Sequence, residues 1–252
     1  RVNSKLSRFS DHLSNFGFAI IGHRGAAGLA PENTLSSFKA ACDQGCSFLE
    51  LDVHQLKCVD NENELLVIHD NTLERTTNAS GRVSALTEKK LANIKTEDGK
   101  PLPYLKDVLA LIKQRARIEK RTIGLNIELK GNQTGKLTAQ YIKKESKTPI
   151  LISSFKHEEL FEFREIDKST PVAPLFHKWD KDCIEIASSL SALAINCSRK
   201  IITPKRVEKI KQHNFKVFVY TVNSTREAER LCEIGVDGIF SDRPDRMKEW
   251  LT

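Results

Sequence analysis

Short apolar runs rich in β-branched residues alternate along this chain with stretches whose apolar positions recur every three to four residues. Residues 18–21 have the pattern of a buried strand. A helix is predicted over 34–44, where Leu35, Phe38, Ala41 and Cys42 share one face, Thr34 sits near the N-cap and Gly45 at the C-terminal stop. Strands follow at 48–53 and 65–68. Between them, 57–64 is polar and shows no helical period, so a parallel crossover has no room and an antiparallel hairpin is expected. Further strands are predicted at 123–129, 150–153, 172–176, 193–196, 216–222 and 238–240. Helical patterns fill most gaps, among them 103–113, 181–190, 204–213 and 225–234.

Repeated strand–helix alternation argues for a parallel sheet. About eight runs plus one hairpin partner favour a closed, distorted TIM-type (β/α)8 barrel over an open sheet. Residues 1–252 then form a single domain, with a polar insertion at about 71–100, after the third strand. The length suits this, since 252 residues fill one large α/β domain.

The balance of 39% hydrophobic and 29% charged residues excludes a disordered chain. A net charge of +7 is compatible with nucleic acid, an anionic membrane or a small anionic substrate. The basic residues are scattered, without the aromatic-interleaved pattern of a nucleic-acid binder, so no nucleic-acid partner is expected. No apolar run reaches transmembrane length and no long amphipathic helix stands out, so no stable membrane insertion is expected. Six cysteines without a CxxC pair argue against a zinc site and suggest a reducing compartment, the cytoplasm. The chain starts at Arg1 rather than Met, which leaves room for a trimmed targeting segment. Oligomeric state stays open.

Chemistry-bearing residues fall where strands end. The first strand runs into His23-Arg24-Gly25, the second carries Glu50 and Asp52, the third ends in His69-Asp70, and the fourth carries Glu128 and Lys130. Residues two apart on a strand share a face, and in a (β/α)8 barrel the C-terminal strand ends converge on one mouth. Three carboxylates gathered there need a cation, and an all-oxygen set suits Mg2+ or Ca2+. Arg24 and Lys130 would add positive charge for a phosphate. His23 and His69 would supply the base and acid of phosphodiester cleavage. His12, His54, His157, His177 and His213 lack such a context and read as surface or packing residues. Of these, His54 is the one to watch, because it faces the same side as Asp52.

Gly22-His23-Arg24-Gly25, Pro31-Glu32-Asn33-Thr34 and Glu50-Leu51-Asp52-Val53 resemble the signature of glycerophosphodiester phosphodiesterases. The match continues through His69-Asp70, Arg75-Thr76-Thr77, Ile127-Glu128-Leu129-Lys130, Ser153-Ser154-Phe155, Tyr220-Thr221-Val222-Asn223 and Gly238-Ile239-Phe240-Ser241-Asp242, in order over nearly the whole chain. The resemblance implies a distorted barrel, one divalent metal, and hydrolysis of a small-molecule glycerophosphodiester to glycerol 3-phosphate and an alcohol. It implies His23 and His69 as the acid/base pair, and Glu50, Asp52 and Glu128 as metal ligands. Arg24, Lys130 and Tyr220 would contact substrate. Tyr220 stands where the family usually has Trp, on the wall beside the glycerol end. The turn at 57–64 is longer than the family's compact version. Two other readings compete: a phospholipase acting on lysophospholipid or phosphoinositide, and a non-catalytic binder of a phosphate ligand that kept the fold.

Overall fold

The structure, a computed structural model, describes residues 4–144 and 147–251. Nine strands make one sheet: β1 (Ala19–Gly22), β2 (Phe48–Leu56), β3 (Glu64–Val67), β4 (Gly124–Leu129), β5 (Ile150–Ser154), β6 (Val172–Phe176), β7 (Ala194–Ser198), β8 (Lys216–Tyr220) and β9 (Gly238–Ser241). Eight run parallel in the order β1-β9-β8-β7-β6-β5-β4-β2, and β1 pairs back onto β2 to close the barrel. The expected TIM-type (β/α)8 architecture is what the chain adopts.

The ninth strand, β3, lies outside the ring and antiparallel to β2, as the polar spacer predicted. The reason is visible in the register. β1 covers only Phe48 and Leu49 on its edge of β2, and from Val53 to Leu56 β3 takes its place. β2 therefore overshoots the rim, and the chain returns along it. The Ile68 N–H donates to the Asp52 carbonyl at 3.2 Å, so the return brings His69 back to the level of the rim carboxylates.

Among the described residues ten α-helices accompany the sheet: α1 (Ser4–Leu13), α2 (Leu35–Asp43), α3 (Glu88–Leu91), α4 (Leu105–Glu119), α5 (Thr134–Ile142), α6 (His157–Ile166), α7 (Cys183–Ser189), α8 (Pro204–Gln212), α9 (Thr225–Glu233) and α10 (Pro244–Leu251). Their starts follow from capping chemistry. The Thr34, Thr203 and Ser224 hydroxyls accept the N–H of Ser37, Arg206 and Glu227, each satisfying an orphan amide of the first turn. α4 runs to Glu119, six residues past its predicted end, because Val108, Leu109, Leu111 and Ile112 keep one face in the core.

Alternation along the strands sorts the core into shells. On β2, Leu49, Leu51 and Val53 pack outward under α2, α4, α5 and α6, while Phe48 faces the barrel interior with Ile21, Leu151, Ala173, Phe218 and Phe240. The helix α1, which the apolar pattern of the sequence does not reveal, covers the N-terminal end. Its Phe9 and Leu13 join the interior cluster, and the His12 ring nitrogen Nε2 is bonded to the Ser47 carbonyl at 3.0 Å. Burying a Phe such as Phe9 in this way contributes roughly 1.5–3 kcal/mol. The segment from about 71 to 100 builds its own small core of Leu73, Val83, Leu86, Leu91 and Ile94 against Leu56, Leu66 and Ile68 of the hairpin. No helix of the described residues is long and apolar enough to cross a membrane.

Candidate active site

The loop after β1 sets the first residues. Gly25 has φ +87°, and a Cβ there would lie 2.5 Å from Ser37 Oγ, so only glycine lets the loop pass this close to α2. Ser37 Oγ donates to the Arg24 carbonyl and accepts the Ala26 N–H, both at 2.8 Å. Arg24 itself takes a left-handed φ of 50°, a conformation that costs a non-glycine residue about 1–3 kcal/mol. The turn aims its N–H at Glu50 Oε2, 2.8 Å away.

Glu50, Asp52 and Glu128 are buried on the inward faces of β2 and β4, each offering an oxygen within 4.8 Å of the others. Such a trio is electrostatically costly. Burial, then Asp52 and Glu128, push the Glu50 carboxyl well above the usual range. Burial, then Asp52, push Glu128 up to about 7, although Lys130 Nζ sits 2.5 Å from its Oε1. Burial works the same way on Asp52 but is outweighed by Lys130, Arg24, His69 and an Asn33 Nδ2 bond of 3.0 Å, so its pKa falls. Glu50 Oε1 and Asp52 Oδ1 are buried with no hydrogen-bond donor among the described residues. Two orphaned oxygens in an all-oxygen cluster of this spacing fit a hard divalent cation. All three residues could hold one.

A histidine–aspartate pair stands on each flank. His23 Nδ1 is 2.7 Å from Asp242 Oδ1, and Asn223 holds that carboxylate by donating from Nδ2 and accepting the Asp242 N–H, both at 2.9 Å. His69 Nδ1 is 2.7 Å from Asp70 Oδ1. Arg75 grips Asp70 with Nε and Nη2 and reaches Glu32 with Nη1 and Nη2, while Glu32 accepts Arg24 Nη1 at 2.9 Å. An ionic chain thus runs from Arg24 to His69. A carboxylate on Nδ1 fixes ring orientation and leaves Nε2 for proton transfer. Burial, with Lys130 and Arg24 nearby, pulls His69 below the ordinary imidazole range, though Asp52 and Asp70 oppose it.

One cavity of about 100 Å³ collects His23, Arg24, Glu50, His69, Glu128, Lys130 and Tyr220 on its lining, with Asp52 in the trio beneath. Every residue singled out from the sequence is therefore at one place. The far wall is apolar and was only partly foreseen. Phe155 lies under His177, ring centroids 3.8 Å apart and 10° from parallel. The Tyr220 hydroxyl donates to the Phe176 carbonyl at 2.7 Å and lies 3.2 Å from His177 Nδ1. Burial raises the Tyr220 pKa, so the phenol stays protonated.

His177, Asp242, Asn33 and Arg75 were not assigned site roles from the sequence. His177 follows β6 as His23 follows β1, so the same strand-end rule would have found it. Asp242 follows β9, which closure places beside β1. His54 does face the Asp52 side, but it is buried and bonded through Nε2 to the His69 carbonyl at 3.1 Å, a support for that loop.

A closed (β/α)8 barrel with buried carboxylates, arginine, lysine and two carboxylate-paired histidines at its C-terminal mouth defines an enzyme of the phosphoric diester hydrolase class. The comparison with known families narrows this. Residues 23–246 match the family described as the glycerophosphoryl diester phosphodiesterase family, and the chain belongs to it. It is 30% identical over 235 residues to a glycerophosphodiester phosphodiesterase of Caldanaerobacter subterraneus, covering 90% of this chain and 95% of that one. It is 31% identical over 244 residues to one of Bacillus altitudinis, with the same coverage. Among solved structures, an Oleispira antarctica phosphodiesterase in complex with the product sn-glycerol-3-phosphate superimposes with a TM-score of 0.85 at 25% identity, over 95% of this chain and 98% of that one.

Proposed function

We propose that this protein, working as one domain with residues 71–100 as part of its rim, hydrolyses glycerophosphodiesters to glycerol 3-phosphate and an alcohol by metal-dependent acid–base catalysis. The observation that carries this reading is the pair of histidine–aspartate dyads flanking a buried carboxylate trio with orphaned oxygens.

Glu50, Asp52 and Glu128 would hold one divalent ion, Mg2+ or Ca2+, which would supply Lewis-acid charge for phosphoryl chemistry. Arg24 and Lys130 orient the phosphoryl oxygens. Glu32 keeps the Arg24 guanidinium in place, and the salt bridge to Glu128 keeps Lys130 charged. One histidine Nε2 takes the proton of the attacking hydroxyl. The other returns a proton to the departing oxygen, each ring held in register by its aspartate. Tyr220, Phe155 and Leu175 present a dry face to the glycerol carbons.

The test is glycerol 3-phosphate release from choline, ethanolamine, glycerol and inositol diesters, each run with EDTA and after adding back Mg2+, Ca2+ or Mn2+. Release that EDTA stops and one metal restores is expected. Release that survives exhaustive chelation would remove the metal from the mechanism.

A further inference from the structure

The catalytic cavity is small for its task. Sites for small organic ligands run to about 300–1,000 Å³. At about 100 Å³, the space between His23 and Tyr220 takes the phosphoryl group and little more than the glycerol half. A second cavity of about 600 Å³ lies on the other side of the His69 loop. Asn71, just past the His69-Asp70 dyad, lines it, as does Gly131, which follows Lys130. His54 is in its wall and is bonded through Nε2 to the carbonyl of His69, which lines the catalytic cavity, so the two spaces adjoin at the His69 loop.

Its charge is one-sided. Lys57, Arg82 and Lys156 line it, and none of its eleven lining residues is Asp or Glu. These cations are also unspent. Lys57 and Arg82 form no ion pair among the described residues, and Lys156 Nζ donates only to the neutral Asn132 Oδ1 at 3.0 Å. Arg75, close by in sequence, is gripped by two carboxylates, and Arg115, Arg199 and Arg243 are each paired as well. Three cations without an ion-pair partner among the described residues, in a lining that holds no carboxylate, give this concave space a positive character that favours an anion. Set against it are Glu159 and Glu74, which accept the N–H of Gln133 in the lining and of Gly81 beside Arg82. The three come from separate elements: Lys57 from the lengthened hairpin turn, Arg82 from the insertion and Lys156 from the loop before α6.

We propose that this cavity is a subsite for an anionic group, a phosphate monoester or a carboxylate, carried on the alcohol half of the diester. The lengthened turn and the insertion then form a specificity element. The assignment rests on the hydrolase reading above, and its test separates the two.

The probe pair is glycerophosphoinositol 4-phosphate and plain glycerophosphoinositol, which differ by one phosphate. They are compared on the wild type and on a Lys57→Glu/Arg82→Glu/Lys156→Glu variant, in which Lys57 and Arg82 are exposed and Lys156 is half-buried. Binding of inositol 4-phosphate, inositol and inorganic phosphate to both proteins is measured by calorimetry, which needs no turnover. The expected result is that the wild type prefers the phosphorylated diester. The variant loses about tenfold in kcat/KM on it and less than about twofold on the plain one, with inositol 4-phosphate binding weakened to match. Equal losses on both diesters, or unchanged binding of inositol 4-phosphate, would overturn the subsite. Inorganic phosphate binding as tightly as inositol 4-phosphate would overturn the link to the alcohol half. Charge-dependent binding of inositol 4-phosphate with no turnover of either diester would leave the subsite standing and sink the hydrolase reading.

Discussion

At the start of β2, Phe48 meets Phe9 and Phe16 with ring centroids 5.4 and 5.3 Å apart. Two and four residues further along the same inward face stand Glu50 and Asp52, with orphaned oxygens. β4 makes the same passage from Gly124, packed against Phe48, through Asn126 to Glu128. Each strand thus crosses, in about 13 Å at 3.3 Å per residue, from a packed apolar plug to concentrated charge. The N-terminal end is a packed apolar cluster of the kind that stabilises a fold. The C-terminal end gathers like charges, and stability elsewhere in the barrel must offset their repulsion. Function and stability are therefore separable along one strand.

Removing a proton carrier or a carboxylate tests this separation most severely. His23→Ala and His69→Ala should each lower kcat by about 10²–10⁴-fold with little change in unfolding midpoint. Glu50→Gln should cost at least about 10³-fold in activity, since loss of metal charge stabilisation is worth several kcal/mol. The same variant should unfold later than the wild type in EDTA at pH 8, because it removes a repulsion. An earlier midpoint would show that the trio stabilises the fold.

At the opposite end, Phe9→Ala should destabilise by about 3–5 kcal/mol, measured by urea unfolding, while the folded fraction keeps near-normal kcat. A proportionate loss of kcat would mean that the plug shapes the mouth.

The pH dependence sharpens the contrast. Glu50 and Glu128 have raised pKa values, the latter about 7, so the folded state holds their protons more tightly than the unfolded chain. Between the ordinary glutamate value, about 4.3, and about 7, the unfolded chain ionises first. The contribution of these two carboxyls to the stability of the metal-free protein therefore falls as pH rises through that window, while that of His69 and His54, whose imidazoles burial pulls down, rises toward pH 6.5. Asp52, shifted the other way, has made its contribution by pH 5. Thermal unfolding should show a larger gain from added divalent ion at pH 8 than at pH 5. The smallest effect expected is that of Tyr220→Phe, which removes the bond to the Phe176 carbonyl and should cost about 0.5–1.5 kcal/mol of stability by chemical denaturation.

The strands and most helices were legible because burial imposes a period on the sequence, and the hairpin was legible because 57–64 has no room for a crossover. The trio was legible because residues two apart on a strand share a face. The plug α1 was not, since what makes Phe9 a core residue is an open barrel end contributed by strands far along the chain. The partnership of His23 with Asp242, 219 residues apart, was hidden for the same reason. His54 shows the converse limit: periodicity placed its side chain correctly, but only the return of β3 decides that it supports the His69 loop instead of lining the catalytic cavity.

The His23–Asp242 pair has a temporal consequence as well as a spatial one. One partner follows the first strand and the other follows the last, and the seam between those strands is what closes the ring. A chain still emerging from the ribosome contains the trio residues and the His69–Asp70 pair once β4 is made, yet lacks Asp242, the partner of His23, until β9 has been added. The His23 ring therefore gains the carboxylate that orients it only when the strand that closes the barrel is in place.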